Sequence, residues 1–148
     1  MHTVARLAPT VSRFLLGAVF LIFGLNGFLQ FIPQPVPPPH AGAFLGALAA
    51  TGYMFPLIKG VEVVAGAMLL SNRFVPLALA LLAPNVVNIV LFHAVLAPAG
   101  LPVALMVLGL EAFTAWTYRE AYASMLKSQT APTIPAAGAR HIPAHAAS

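Results

Sequence analysis

Apolar residues gather into four long runs along this chain, and the breaks between them are short and rich in proline, glycine and small polar residues. The first run covers about residues 13–32 and opens on Arg13; at about 1.5 Å per helical residue it is long enough to cross the hydrocarbon of a bilayer. Three more follow, at about residues 54–70, 74–96 and 101–118. Between the first and second, residues 33–40 form a proline-rich loop of extended character that cannot be helix. Residues 41–52 are then mostly Gly and Ala, too short to span, with Gly42 and Gly46 in a register that favours packing. The pattern predicts an all-α protein: a four-transmembrane-helix bundle with a short interfacial or re-entrant helix between spans 1 and 2. A cleaved signal peptide is the competing reading of the first run. It fits less well, because a signal's apolar core runs to about 7–15 residues and this one is longer and is followed by many prolines.

Composition narrows the class further. Of 148 residues 60% are hydrophobic and 7% charged, against about 25% charged in a soluble domain. This is the balance of a membrane protein, with residues 1–12 as a short N-terminal segment, 13–122 as the membrane domain and 123–148 as a disordered tail of Ala, Pro, Ser and Thr. The lipid bilayer is therefore its first partner. The formal charge of +4 comes from basic residues scattered at segment ends, which form no patch for a phosphate backbone, so nucleic acid is excluded. Arg6, Arg13, Arg73, Arg119, Lys127 and Arg140 all fall on one side of a four-span topology, which places both termini in the cytoplasm by the positive-inside rule. Cysteine is absent, which removes disulfides, thiolate nucleophiles and iron–sulfur ligation.

The polar residues inside the apolar runs carry the candidate chemistry. Lys59 and Glu62 stand three apart in the second run, on one helical face, where each offsets part of the other's cost of about 2.5–3.5 kcal/mol for a charge in hydrocarbon. Asn26 lies in the first run, Asn85, Asn88 and His93 in the third beside Pro84, and Glu111 in the fourth. Counted from the outer ends of their helices, all fall in the outer half of the membrane, so the expectation is one polar cluster in which Lys59 balances one of Glu62 and Glu111. The other carboxyl then needs a proton, water or amide donors. Such a cluster suits proton transfer or hydrogen bonding to a quinone-type carbonyl; the competing reading is that these groups only fasten helices together. No catalytic residue is assigned. No metal is expected either: His93 with His40 makes a poor metal site, and Pro143 between His141 and His145 argues against chelation there.

Three stretches resemble the DoxX family of small bacterial membrane proteins: Arg13-Phe-Leu-Leu-Gly17 with Gly24 and Gly27; Phe55-Pro-Leu-Ile-Lys59-Gly-Val-Glu62-Val-Val-Ala-Gly66; and Ala83-Pro84-Asn85-Val-Val-Asn88-Ile89 with Phe92-His93. The resemblance covers about residues 13–122 and implies a multi-pass inner-membrane bundle, with Lys59, Glu62, Pro84, Asn85, Asn88 and His93 at the matching positions. It implies an auxiliary subunit of a membrane oxidoreductase system, with quinone as the cofactor in reach and an oxidoreductase as partner, rather than an enzyme acting alone. Any sulfur chemistry falls to that partner, since this chain has no thiol. A small-solute or proton transporter and a non-catalytic assembly protein are the alternatives, and the number of copies, including a homo-oligomer, is left open.

Overall fold

The computed structural model describes residues 2–129, with side chains from Leu7 onward. Among the described residues there are helices and no strands: α1 (His2–Leu29), α2 (Pro39–Ala50), α3 (Met54–Leu70), α4 (Val75–Val95), α5 (Leu101–Thr117) and a final turn of helix, α6 (Arg119–Tyr122). Three stretches are long and apolar enough to cross a membrane, Leu7–Leu29, Val75–Val95 and Pro98–Thr117, and a fourth is added if α2 and α3, bent by 92° at their junction, count as one broken span. This is a membrane protein. Its spans bury only 22–33% of their residues internally, and the outward side is an apolar coat that includes Phe23, Leu91, Met106 and Phe113.

Local chemistry sets the breaks. Prolines occupy the first turns of α2, α4 and α5, where the missing N–H has no intrahelical acceptor to lose. After α1, Gln30 turns left-handed at φ 51, and after α3, Asn72 does so at φ 56, a conformation that asparagine tolerates. Gly52, at φ +74, makes the corner between α2 and α3. α4 runs without interruption through Pro84.

α1 and α4 each pack against both α3 and α5, so these helices close a ring around Leu16, Phe20, Leu69, Leu79, Leu82 and Val86. Neighbours are antiparallel, as Gly17 lies at Leu69 while Gly27 lies at Lys59, and Ser12 reaches Thr114. One end of the ring, the proximal end, therefore holds the start of α1 and the end of α5. The distal end holds α2, the start of α3 and the end of α4. The α1–α3 contact is backbone on backbone: a Cβ at Gly66 would lie 2.6 Å from the Leu21 nitrogen and 2.9 Å from the Gly17 oxygen. Small residues let helices approach this closely in a membrane, where close packing takes over from the hydrophobic effect.

Three boundaries differ from the sequence expectation. α2 opens at Pro39, inside the stretch expected to stay extended, because a proline fits the first turn of a helix. Residues 2–12 continue α1 instead of forming a separate segment, because Ser12 and Arg13 are buried and bonded to other helices, which anchors the first turns. Span 1 ends at Leu29, short of Ile32, because Asn26 caps it: its Oδ1 accepts from the Ile32 N–H at 2.6 Å and its Nδ2 donates to the Ile32 carbonyl at 3.2 Å. In α2 the GxxxG register has no packing role at Gly46, which has nothing within 4 Å of a would-be Cβ. Residues 130–148, with Arg140, His141 and His145, lie outside the described part, and so does most of the expected disordered tail.

Candidate ligand site

α3 presents Lys59 and Glu62 one turn apart, and the Lys59 Nζ donates to Glu62 Oε2 at 2.8 Å. From α4 the Asn85 Nδ2 donates to Glu62 Oε1 at 2.9 Å. Both carboxylate oxygens are thereby answered, one by a charge and one by an amide, as a buried carboxylate in apolar surroundings requires. The Lys59 stem crosses α1 at Gly27, where any side chain would collide with it: a Cβ there would lie 2.4 Å from Lys59 Cγ. A glycine on α1 thus sets the position of the α3 ammonium.

Next to this pair is a half-open cavity of about 120 Å³ between α2, α3 and α4. Lys59, Glu62, Asn85, Asn88 and His93 supply its polar lining; Phe44, Leu45 and Leu48 of α2 cover it, and Phe55, Ile58, Ile89 and Phe92 complete the apolar wall. Phe44 and Phe92 meet with ring centroids 5.8 Å apart, which ties α2 to α4. Lys59 spends one of its three N–H bonds on Glu62 and keeps 22% of its side chain exposed, so donors remain for a guest. The Asn88 amide is exposed on the cavity wall and engages no other side chain among the described residues. His93 is held by its own helix end, Nδ1 lying 3.0 Å from the Ala97 carbonyl.

Of the predicted residues, Lys59, Glu62, Asn85, Asn88 and His93 come together here. Asn26 and Glu111 are placed elsewhere. Asn26 is spent on capping α1, and Glu111 lies buried on α5, off the cavity wall, with Oε1 unpartnered among the described residues. Counting depth along each helix put Glu111 near the others but could not show that it stays off the cavity wall. The proximal half has polar contacts of its own. There Ser12 Oγ meets Thr114 Oγ1 at 2.8 Å, Thr114 donates to the Leu110 carbonyl at 2.7 Å, and the Arg13 guanidinium donates to the Leu69 carbonyl. Beyond α5, burial and then the nearby Glu111 carboxyl raise the Tyr122 phenol pKa, keeping it a donor to the Pro76 carbonyl at 2.9 Å.

The cover from α2 was missed at the sequence level. Its signal was Phe44 with Leu48, four residues apart in a Gly/Ala background. His40 is exposed at the start of α2 and does not line the cavity. Among the described residues, no three metal-ligating side chains gather. No family model matches this chain, and neither a curated protein nor a solved structure does.

The arrangement can bind an apolar ring of modest size whose polar edge accepts hydrogen bonds. Engineered apolar cavities of about 150 Å³ hold benzene, so about 120 Å³ with an open side takes a single ring while a tail leaves toward lipid.

Proposed function

We propose that this protein is a DoxX-like, four-span inner-membrane protein with cytoplasmic termini, an auxiliary subunit of a membrane oxidoreductase system whose cavity holds the ring of a quinone. The observation that carries this reading is the half-open cavity with free donors from Lys59 and Asn88 on one side and aromatic or aliphatic walls on the other. Quinones present that chemistry, with carbonyl acceptors on a flat apolar ring. Arg73, Arg119 and Lys127 lie at or beyond the proximal helix ends, which supports a cytoplasmic proximal side and a cavity near the outer leaflet. Equilibrium binding of a short-chain benzoquinone to the protein in detergent tests the reading. Lys59→Met lowers affinity about tenfold or more, the worth of a charged hydrogen bond; a protein that retains no quinone contradicts it.

A second reading has its own support: Glu62 satisfies both oxygens within the protein, as a purely structural clamp between α3 and α4 does. In that case the Lys59→Met, Glu62→Leu double variant keeps both the stability and the cellular role of the protein. On the quinone reading it keeps the fold and loses the role.

A further inference from the structure

The polar lining of the cavity is not all of one kind. Lys59 can only donate, the Asn85 amide nitrogen is committed to Glu62, and both Glu62 oxygens are taken. His93 differs. A backbone carbonyl can only accept, so the contact at 3.0 Å between Nδ1 and the Ala97 oxygen fixes the proton of a neutral ring on Nδ1 and leaves a lone pair on Nε2. The His93 ring lies against Gly100, where a Cβ would collide with Cε1 and Nδ1 and press on Nε2 at 3.0 Å. Phe92 packs edge-on at 5.2 Å. Nε2 has no hydrogen-bond partner among the described residues and is not fully buried, and His93 lines the cavity, so that lone pair is open to a guest.

A quinone brings only acceptors and leaves that lone pair unanswered. Its reduced form brings hydroxyls. We propose that the cavity prefers the hydroquinone, with His93 Nε2 accepting one ring O–H and Lys59 with Asn88 donating to the oxygen across the ring. His93 stands five residues beyond Asn88, about 7.5 Å along the axis, and both line the cavity, which leaves room for one ring between them. This rests on the reading of the cavity as a quinone site and adds its redox form and orientation. In that role His93 is a specificity residue, and Gly100 and the Ala97 carbonyl are positioning groups.

The test is equilibrium dialysis of the full chain in detergent, against empty micelles, with a short-chain benzoquinone and, anaerobically, its hydroquinone. The native protein binds the hydroquinone about tenfold tighter, the worth of one neutral hydrogen bond. His93→Phe lowers hydroquinone affinity more than quinone affinity and so removes the preference; His93→Gln, which restores an acceptor oxygen, recovers part of it. Equal binding of the two forms by the native protein, or a preference that survives in His93→Phe, overturns the assignment to His93 while the quinone reading stands. Binding of neither form overturns both. The native comparison decides even if a variant fails to fold.

Discussion

The two faces of α3 are built on opposite terms. Toward α1 it offers Gly66, and the helices touch backbone to backbone with no room for one more carbon. Toward α4 it offers Glu62, paired with Lys59 of its own helix, and beside that contact about 120 Å³ stays open. The first face is held mainly by close fit, with a hydrogen bond from Arg13 to the Leu69 carbonyl at its proximal end, and the second by the Asn85 bond to a carboxylate that Lys59 pairs within α3. A membrane protein gains little from burying one apolar surface against another, because lipid is as apolar as leucine; close fit and polar bonds are its two remaining means, and α3 relies chiefly on the first toward α1 and on the second toward α4. The difference teaches where a function can lie: the fitted face has no vacancy, whereas the bonded face keeps helices apart and leaves donors free.

The sharpest way to break this contrast is at Gly66. Gly66→Leu drives a side chain into α1 and destabilises by about 3 kcal/mol or more, read by denaturant titration in detergent. Gly60→Ala on the same helix, with nothing within 4 Å, is tolerated and gains up to about 1 kcal/mol from helix propensity. Equal losses at the two glycines contradict the fitted seam. On the other face, Glu62→Leu strands the Lys59 charge and the Asn85 amide. The expected loss is about 2 kcal/mol, below that of a fully buried pair because Lys59 keeps 22% exposure, and adding Lys59→Met recovers most of it.

Smaller effects sharpen the picture. Ser12→Ala removes the hydroxyl contact with Thr114 at the proximal end and costs about 0.6 kcal/mol, the average of interhelical hydrogen bonds in a membrane, without touching quinone binding. Asn88→Leu changes stability by less than about 0.5 kcal/mol, since its amide engages no other side chain, yet weakens quinone binding. A stability loss at Asn88 as large as that at Glu62 would mean that the lining is structural.

The helices were legible in the sequence because their signal is local. Apolar runs bounded by proline and glycine place the boundaries of α3 on residues 54–70 and those of α4 and α5 within a residue of expectation. The Lys59 and Glu62 pair was legible for the same reason, as three residues on a helix define a face whatever lies around it. Rotation of one helix relative to another was not legible. Depth along α5 could be counted, but its facing depends on packing with α1, and this turned Glu111 away from the pair. Asn26 misled because a capping asparagine and a site asparagine look alike until the chain beyond Leu29 is traced back to it. The lid of α2 was hidden by the 92° bend, which no periodicity announces.

The central claim is that a ring sits between α2, α3 and α4, and photolabelling tests it most directly. A short-chain quinone carrying a photoreactive group on its ring is irradiated with the protein in bilayers, and the sites are mapped by mass spectrometry. The account predicts adducts within residues 44–48, 55–62 and 85–93, abolished by excess unlabelled quinone and reduced in Lys59→Met. Labels spread over the lipid-facing side chains of α5, and insensitive to competitor, would contradict it.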